Sequence, residues 1–208
     1  MNFFRFYFLD LRLSRKANGF SLMELMVVLG ILAIINMMIF ASYPEFSQRM
    51  ALKRTSEEIA LIARQAQAYA LGIKRSASGG DNYFGFGVRF DTGNPKSLIL
   101  FTDLDNGKTY NDVGELFQKF TIDTGDVIYN LETCDSMSCG LISNSTLDIV
   151  YPRATYMATI TANSSINISN PSYARVTIKS PRGNENRNKK YIEIWANGQI
   201  SVKDPPKN

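Results

Sequence analysis

The stretch FTDLDNGKTYNDVGE gathers Asp103, Asp105, Asp112 and Glu115 into one short segment. Asp-x-Asp followed by Asn-Gly is how the first half of a calcium loop begins, with alternate oxygens converging on one ion. The match has two departures: the glycine comes one position early, and the twelfth position is Gly114, with Glu115 next. The same residue types also build turns without any ion, because Asp, Asn and Gly suit turn backbones. Calcium binding and a plain hairpin loop are both open for this segment. A second group lies in SPRGNENRNKKYIE, where Arg182, Arg187, Lys189 and Lys190 follow closely on Lys179. Basic side chains beside Tyr191 could meet the phosphates of a nucleic acid, although Glu185 interrupts them and a solvated loop is the plainer reading.

Other chemistry is excluded by what the chain lacks. It contains no histidine, which removes the commonest general base and the commonest metal ligand. Cys134 and Cys139 are its only cysteines. Two thiols without imidazole cannot complete a four-ligand structural zinc site. They form a local disulfide if the segment is exported, and remain thiols in the cytosol. There is no nucleophile elbow, phosphate loop or catalytic carboxylate pair, so an enzyme is not expected. Asn144, Asn163 and Asn167 open glycosylation sequons, a pattern common by chance.

One charge stands out by its surroundings. Glu24 lies near the start of GFSLMELMVVLGILAIINMMIF, residues 19 to 40. A carboxylate inside a bilayer costs roughly 3 kcal/mol or more and usually marks function. From Leu25 to Ala41 no charge follows, and Gly30 and Asn36 are tolerable interruptions. Counted from Phe20, the run makes a helix of about 33 Å, enough to cross a bilayer core of about 30 Å. Arg5, Arg12, Arg15 and Lys16 precede it against the single acid Asp10, which leaves the rest of the chain almost neutral despite its formal charge of +4. The basic pI therefore describes the N-terminal arm and does not argue for nucleic acid on the body. By the positive-inside rule the arm is cytoplasmic and the body exported. A secretory signal peptide fits poorly, since no small-residue cleavage site follows the apolar run.

Beyond the run the pattern becomes one-sided. Leu52, Thr55, Ile59, Ile62, Ala66, Tyr69 and Ile73 recur at helical spacing, with Lys53, Arg54, Glu57 and Arg64 on other faces. One long helix is expected from residue 21 to about 74, kinked or restarted at Pro44. After the loop SASGGDN come short segments with strand chemistry at 84–90, 97–103, 116–122, 126–131, 146–152, 156–162, 173–180 and 191–203. The last contains Asn-Gly, favoured in tight hairpins. The expected class is α+β: a helix packed on an antiparallel β-sheet domain.

Gly19, Phe20, Ser21, Leu22, Met23 and Glu24, placed after a short basic leader and before an uncharged apolar run, resemble the class III signal of type IV pilins and of type II secretion pseudopilins. The resemblance implies a pilin-like fold and four regions: a cleaved leader at 1–19, a transmembrane and assembly half-helix at 20–43, an amphipathic half at 44–75, and an extracytoplasmic β-rich domain at 76–208. It implies that a prepilin peptidase cuts after Gly19 and N-methylates Phe20. It also implies that Glu24 faces the terminal amine of a neighbouring subunit. The partners implied are other pilin or pseudopilin subunits, the prepilin peptidase and an inner-membrane assembly platform, with the chain first in the bacterial inner membrane and then in a filament. FGVRFDTGN, SLILFTDLDNGKTYNDVGE and the closing IEIWANGQISV resemble minor pseudopilins and minor pilins of the H type. The C-terminal cysteine pair of many major pilins is absent. A minor pilin serving DNA uptake and a plain membrane-anchored domain are the rival readings. The implied set holds no cofactor except the calcium considered above.

Overall fold

A computed structural model describes residues 19–73, 83–111, 113–135, 137–142, 146–163, 170–181 and 188–205. They fall into two compact units divided between Tyr43 and Pro44. Residues 1–18 of the leader, the SASGGDN loop, Asp112, Asn144, Asn167, Arg182, Glu185 and Arg187 lie outside the described residues.

Helix α1 runs from Leu22 to Ala68 and continues through Pro44 without a restart. Its first part is apolar on every side, and every residue from Gly19 to Phe40 is exposed. This is the one helix, among the described residues, long and apolar enough to cross a membrane. Asn36 is accommodated there because its side-chain amide donates to the Leu32 carbonyl at 2.8 Å. A polar group so satisfied within its own helix costs far less in an apolar medium than a free one. A π-helical turn, Tyr69–Ile73, follows α1, and the backbone leaves helical geometry at Gly72 (φ 97°). The freed Ala70 carbonyl is taken up by the Ala154 amide at 2.8 Å, as a buried helix end requires.

In the second unit ten strands form two antiparallel sheets, where the sequence suggested one. The strands are β1 Gly85–Asp91, β2 Ser97–Asp103, β3 Leu116–Thr121, β4 Val127–Cys134, β5 Cys139–Ile142, β6 Thr146–Pro152, β7 Thr159–Ala162, β8 Tyr173–Lys179, β9 Lys189–Trp195 and β10 Ile200–Lys203. Their orders are β3-β2-β1-β6-β7 and β10-β9-β8-β4-β5. Period-two alternation turns Phe86, Val88, Phe90, Leu147, Ile149 and Tyr151 of the first sheet inward, and Leu131, Val176, Ile178, Ile192 and Ile194 of the second. The same core takes Leu52 and Ile59 of α1 together with Ala60, Ala63, Ala66 and Ala70. The alanines let the helix backbone sit close, and each fully buried Leu or Ile contributes about 1.5–3 kcal/mol. Polar contacts fix its position. Thr55 Oγ1 and Thr124 Oγ1 each donate to Asp126 Oδ2 at 2.8 Å, and Gln67 Nε2 donates to the carbonyls of Tyr156 and Gly198 at 3.0 and 3.1 Å.

Several local expectations need correction. Strand β5 was not foreseen, because CGLI lacks the length and alternation of a recognisable strand. The strand expected at 156–162 begins only at Thr159, since Ala154 has a left-handed φ of 63° and breaks the extended path. The β9–β10 connection, by contrast, is the Ala-Asn-Gly segment at 196–198, where the sequence places it: Ile194 pairs with Ile200, and the Trp195 carbonyl accepts from the Gly198 amide. Gly198 has φ 86°, and a Cβ there would lie 2.2 Å from the Tyr156 carbonyl oxygen. A glycine of left-handed φ closing a turn is the arrangement of a bulged hairpin.

The outer face of the first sheet holds a buried ion pair. Arg89 Nε donates to Asp148 Oδ1 at 2.7 Å, with the Asp148 side chain 2% exposed. Burial pushes the Asp148 carboxyl up, and the Arg89 hydrogen bond opposes that rise. Beside the pair, Phe101 lies over Gly87, where a Cβ would stand 2.5 Å from its Cζ. Tyr110 meets Phe101 edge-on and carries the Arg89 guanidinium over its ring. The β2–β3 loop is thereby held against this face.

Two outcomes follow for the detergent-solubilised chain. Gly87→Ala is expected to lose about 1–3 kcal/mol of stability through overpacking against Phe101 and Val150, read as a lower denaturant midpoint. Arg89→Ala is expected to lose about 3–5 kcal/mol, because Asp148 is left buried without its cation. Joint replacement, Arg89→Met with Asp148→Leu, should recover most of that loss; if it does not, the pair is held by geometry rather than charge.

Candidate functional site

At the start of α1 the residues singled out by the sequence stand in order. Gly19 and Phe20 precede the helix, with Phe20 78% exposed. The Leu25 amide donates to the Ser21 carbonyl at 3.2 Å, so Ser21 takes the first intrahelical bond, as an N-cap residue does. Glu24 then lies at the third helical position, in the first turn. Serine at the cap with glutamate three positions on is the capping-box pattern, and the helix dipole favours the acid there. Local helix chemistry thus accounts for part of Glu24. It does not account for the apolar surface around it, where Leu22, Met23, Leu25, Met26 and Val28 are all exposed.

The acidic loop is the second candidate. Among the described residues, Asp103, Asp105 and Glu115 come together, with one carboxylate oxygen of each within 4.8 Å of the others. Asp103 ends β2 and Glu115 sits in a short 3-10 turn before β3. Asp105 Oδ1 accepts from the Gly107 amide at 2.7 Å, and Oδ2 from Asn111 Nδ2 at 3.0 Å. The first of these contacts holds the Asp105 carboxyl below the usual carboxylate range. Glu115 Oε1 and Oε2 accept from the amides of Leu104 and Asn111 at 3.1 and 2.9 Å. Asp103 is different. Burial pushes its carboxyl up, the Lys108 amide opposes this, and the nearby acids Asp105 and Glu115 add to the rise.

The cysteines are joined: Cys134 and Cys139 form a disulfide across the β4–β5 hairpin, where they are direct partners. Asp135 Oδ1 accepts from the Met137 and Ser138 amides at 2.7 and 2.6 Å and shapes the turn between them. These amides, Met137 first, hold the Asp135 carboxyl low.

Of the basic group, Lys179, Lys189 and Lys190 are among the described residues, and the first two meet at one ring. The register shift in β4 at Tyr129 leaves that ring 42% exposed, with Lys179 and Lys189 Nζ over it at 4.5 and 5.2 Å. Lys190 is paired with Asp204 instead. Sequence reasoning missed Arg89, Tyr110 and Asp148, which secure the acidic loop. The lone arginine in β1 and the lone aspartate in β6 carried a faint signal, as charges in strands otherwise buried.

Against known proteins, the model of the prokaryotic N-terminal methylation motif matches residues 14–40. No curated protein and no solved structure matches the chain. The matched segment, with its apolar helix, is type IV pilin-like and of the kind that a prepilin peptidase processes.

Proposed function

We propose that this chain is a structural subunit, a minor pilin or pseudopilin, of a type IV pilus or a type II secretion pseudopilus. The observation that carries the reading is the Gly19-Phe20 step four positions before Glu24, at the head of a helix that has no charge from Leu25 to Ala41 and is exposed on all sides as far as Phe40. Cleavage after Gly19 exposes a charged amine on Phe20 at membrane depth. Methylation keeps that charge. An ammonium so placed needs a partner, because an unpaired charge in an apolar medium costs several kcal/mol. Glu24 supplies the partner to a neighbouring subunit, neutralising two charges together and setting the axial register. Before assembly, residues 20–43 anchor the chain in the inner membrane with its N-terminus in the cytoplasm. Export of the body is supported by the Cys134–Cys139 disulfide, since such bonds persist in oxidising compartments. The role is architectural, not enzymatic.

The test has two parts, in cells holding a prepilin peptidase and the assembly machinery. Mass spectrometry is expected to find a mature chain beginning at N-methylated Phe20, and an intact leader would sink the proposal. Glu24→Ala is expected to insert in the membrane normally while its incorporation into filaments falls by about a hundredfold or more, the size of one unpaired charge. Undiminished incorporation would mean that Glu24 serves its own helix only.

A further inference from the structure

Among the described residues Asp103 is a buried carboxylate that no cation answers, and it lacks the two threonine hydroxyls that serve the equally buried Asp126. It is 1% exposed, and its Oδ1 atom has no hydrogen-bond partner. The other oxygen receives only the Lys108 amide, at 3.3 Å. Among the described residues, no lysine or arginine forms an ion pair with Asp103, Asp105 or Glu115. This contrasts with Asp148, a buried acid on the same sheet that has Arg89. Three carboxylates facing one another without a counter-charge repel, and the buried one loses its hydration as well.

We propose that Asp103, Asp105 and Glu115 bind one calcium ion, which supplies the missing positive charge. Every available donor is a carboxylate or carbonyl oxygen, the hard-ligand set of calcium and not of zinc or copper. Calcium holds oxygens at about 2.3–2.6 Å, so two on opposite sides of it stand about 4.6–5.2 Å apart; the separations here, within 4.8 Å, fit inside that span. Calcium also accepts an irregular shell, whereas magnesium demands a near-ideal octahedron. Bidentate use of Asp103, loop carbonyls and water would complete the shell. Asp112 lies outside the described residues.

The ion would join the end of β2 to the turn before β3. The intervening loop includes Tyr110, which packs on Phe101 and Arg89. Calcium would therefore set how firmly this loop is pressed on the outer face of the first sheet. The inference stands on the loop alone and does not require the filament reading.

The experiment uses the full chain in detergent micelles, freed of metal with a chelator and then titrated with calcium chloride alone. Calorimetry is expected to show one site with a dissociation constant of about 10⁻⁴ M, the range of extracellular modules. The melting temperature is expected to rise by about 5 °C at hundredfold excess over that constant. Asp105→Asn, a surface change that keeps a side-chain acceptor, and Glu115→Gln should each weaken binding at least about tenfold. Asp103→Asn should abolish the calcium response while melting no lower than the metal-free parent, since it removes the unanswered charge. No heat and no shift with calcium would overturn the proposal and leave a proton shared between Asp103 and Asp105. An equal shift with magnesium would overturn the choice of ion, and a calcium response that survives Asp105→Asn and Glu115→Gln would overturn the choice of residues.

Discussion

The helix segment from Phe20 to Phe40 cannot be left in water. Its leucines, isoleucines, valines, methionines and phenylalanines are exposed around the whole circumference, and burying each such side chain is worth about 1.5–3 kcal/mol. Lipid can cover that surface, and so can the same segment of other copies. Neither demands a particular side chain at a particular height, because apolar contact is non-directional. Height has to be specified by something polar. Within this stretch Asn36 satisfies itself on its own helix, which leaves Glu24 as the directional group.

Past Pro44 the same helix meets a different requirement, with one face buried and the other solvated. Exposed pairs such as Arg54 with Glu58 and Lys53 with Glu57 lie on the solvent side and contribute only a few tenths of a kcal/mol each. The buried side is held at both ends by polar contacts: Thr55 near Asp126, and Gln67 bridging the Tyr156 loop to the β9–β10 turn. A load along the helix would therefore reach both sheets through hydrogen bonds as well as through the core. Shear along a purely apolar interface meets less resistance, since such contacts re-form after a small slip.

How much of this was legible in the sequence depended on whether the controlling contact was local. The helix was visible because Leu52, Thr55, Ile59 and Ala66 repeat with the helical period, and all four are buried. Strands β2 and β6 were bounded correctly by their apolar runs. The division into two sheets was not, because strand neighbours such as β1 with β6 and β4 with β8 are far apart in sequence. The acidic loop could be picked out from residue types alone. Its fastening through Arg89, Asp148 and Tyr110 could not, since three strands lie in chain order between the charge that answers Arg89 and the aromatic ring beside it. The Lys190 ion pair was hidden for the same reason, its partner Asp204 lying across the β9–β10 hairpin.

The short β4–β5 hairpin has a wider consequence. A domain built of two open sheets must keep their margins from pairing with other chains, because unpaired strand edges recruit other strands. Three of the four margins here, β5, β7 and β10, are four residues long. The fourth, β3, carries Lys119 and a register shift against β2. The covalent tie between Cys134 and Cys139 holds the β5 margin to its own hairpin, so that it cannot peel away and offer β4 to a stranger. In reducing surroundings that guard would be down. The bond is thus a guard on a strand edge as well as a tie within one hairpin, and it acts only where thiols are oxidised.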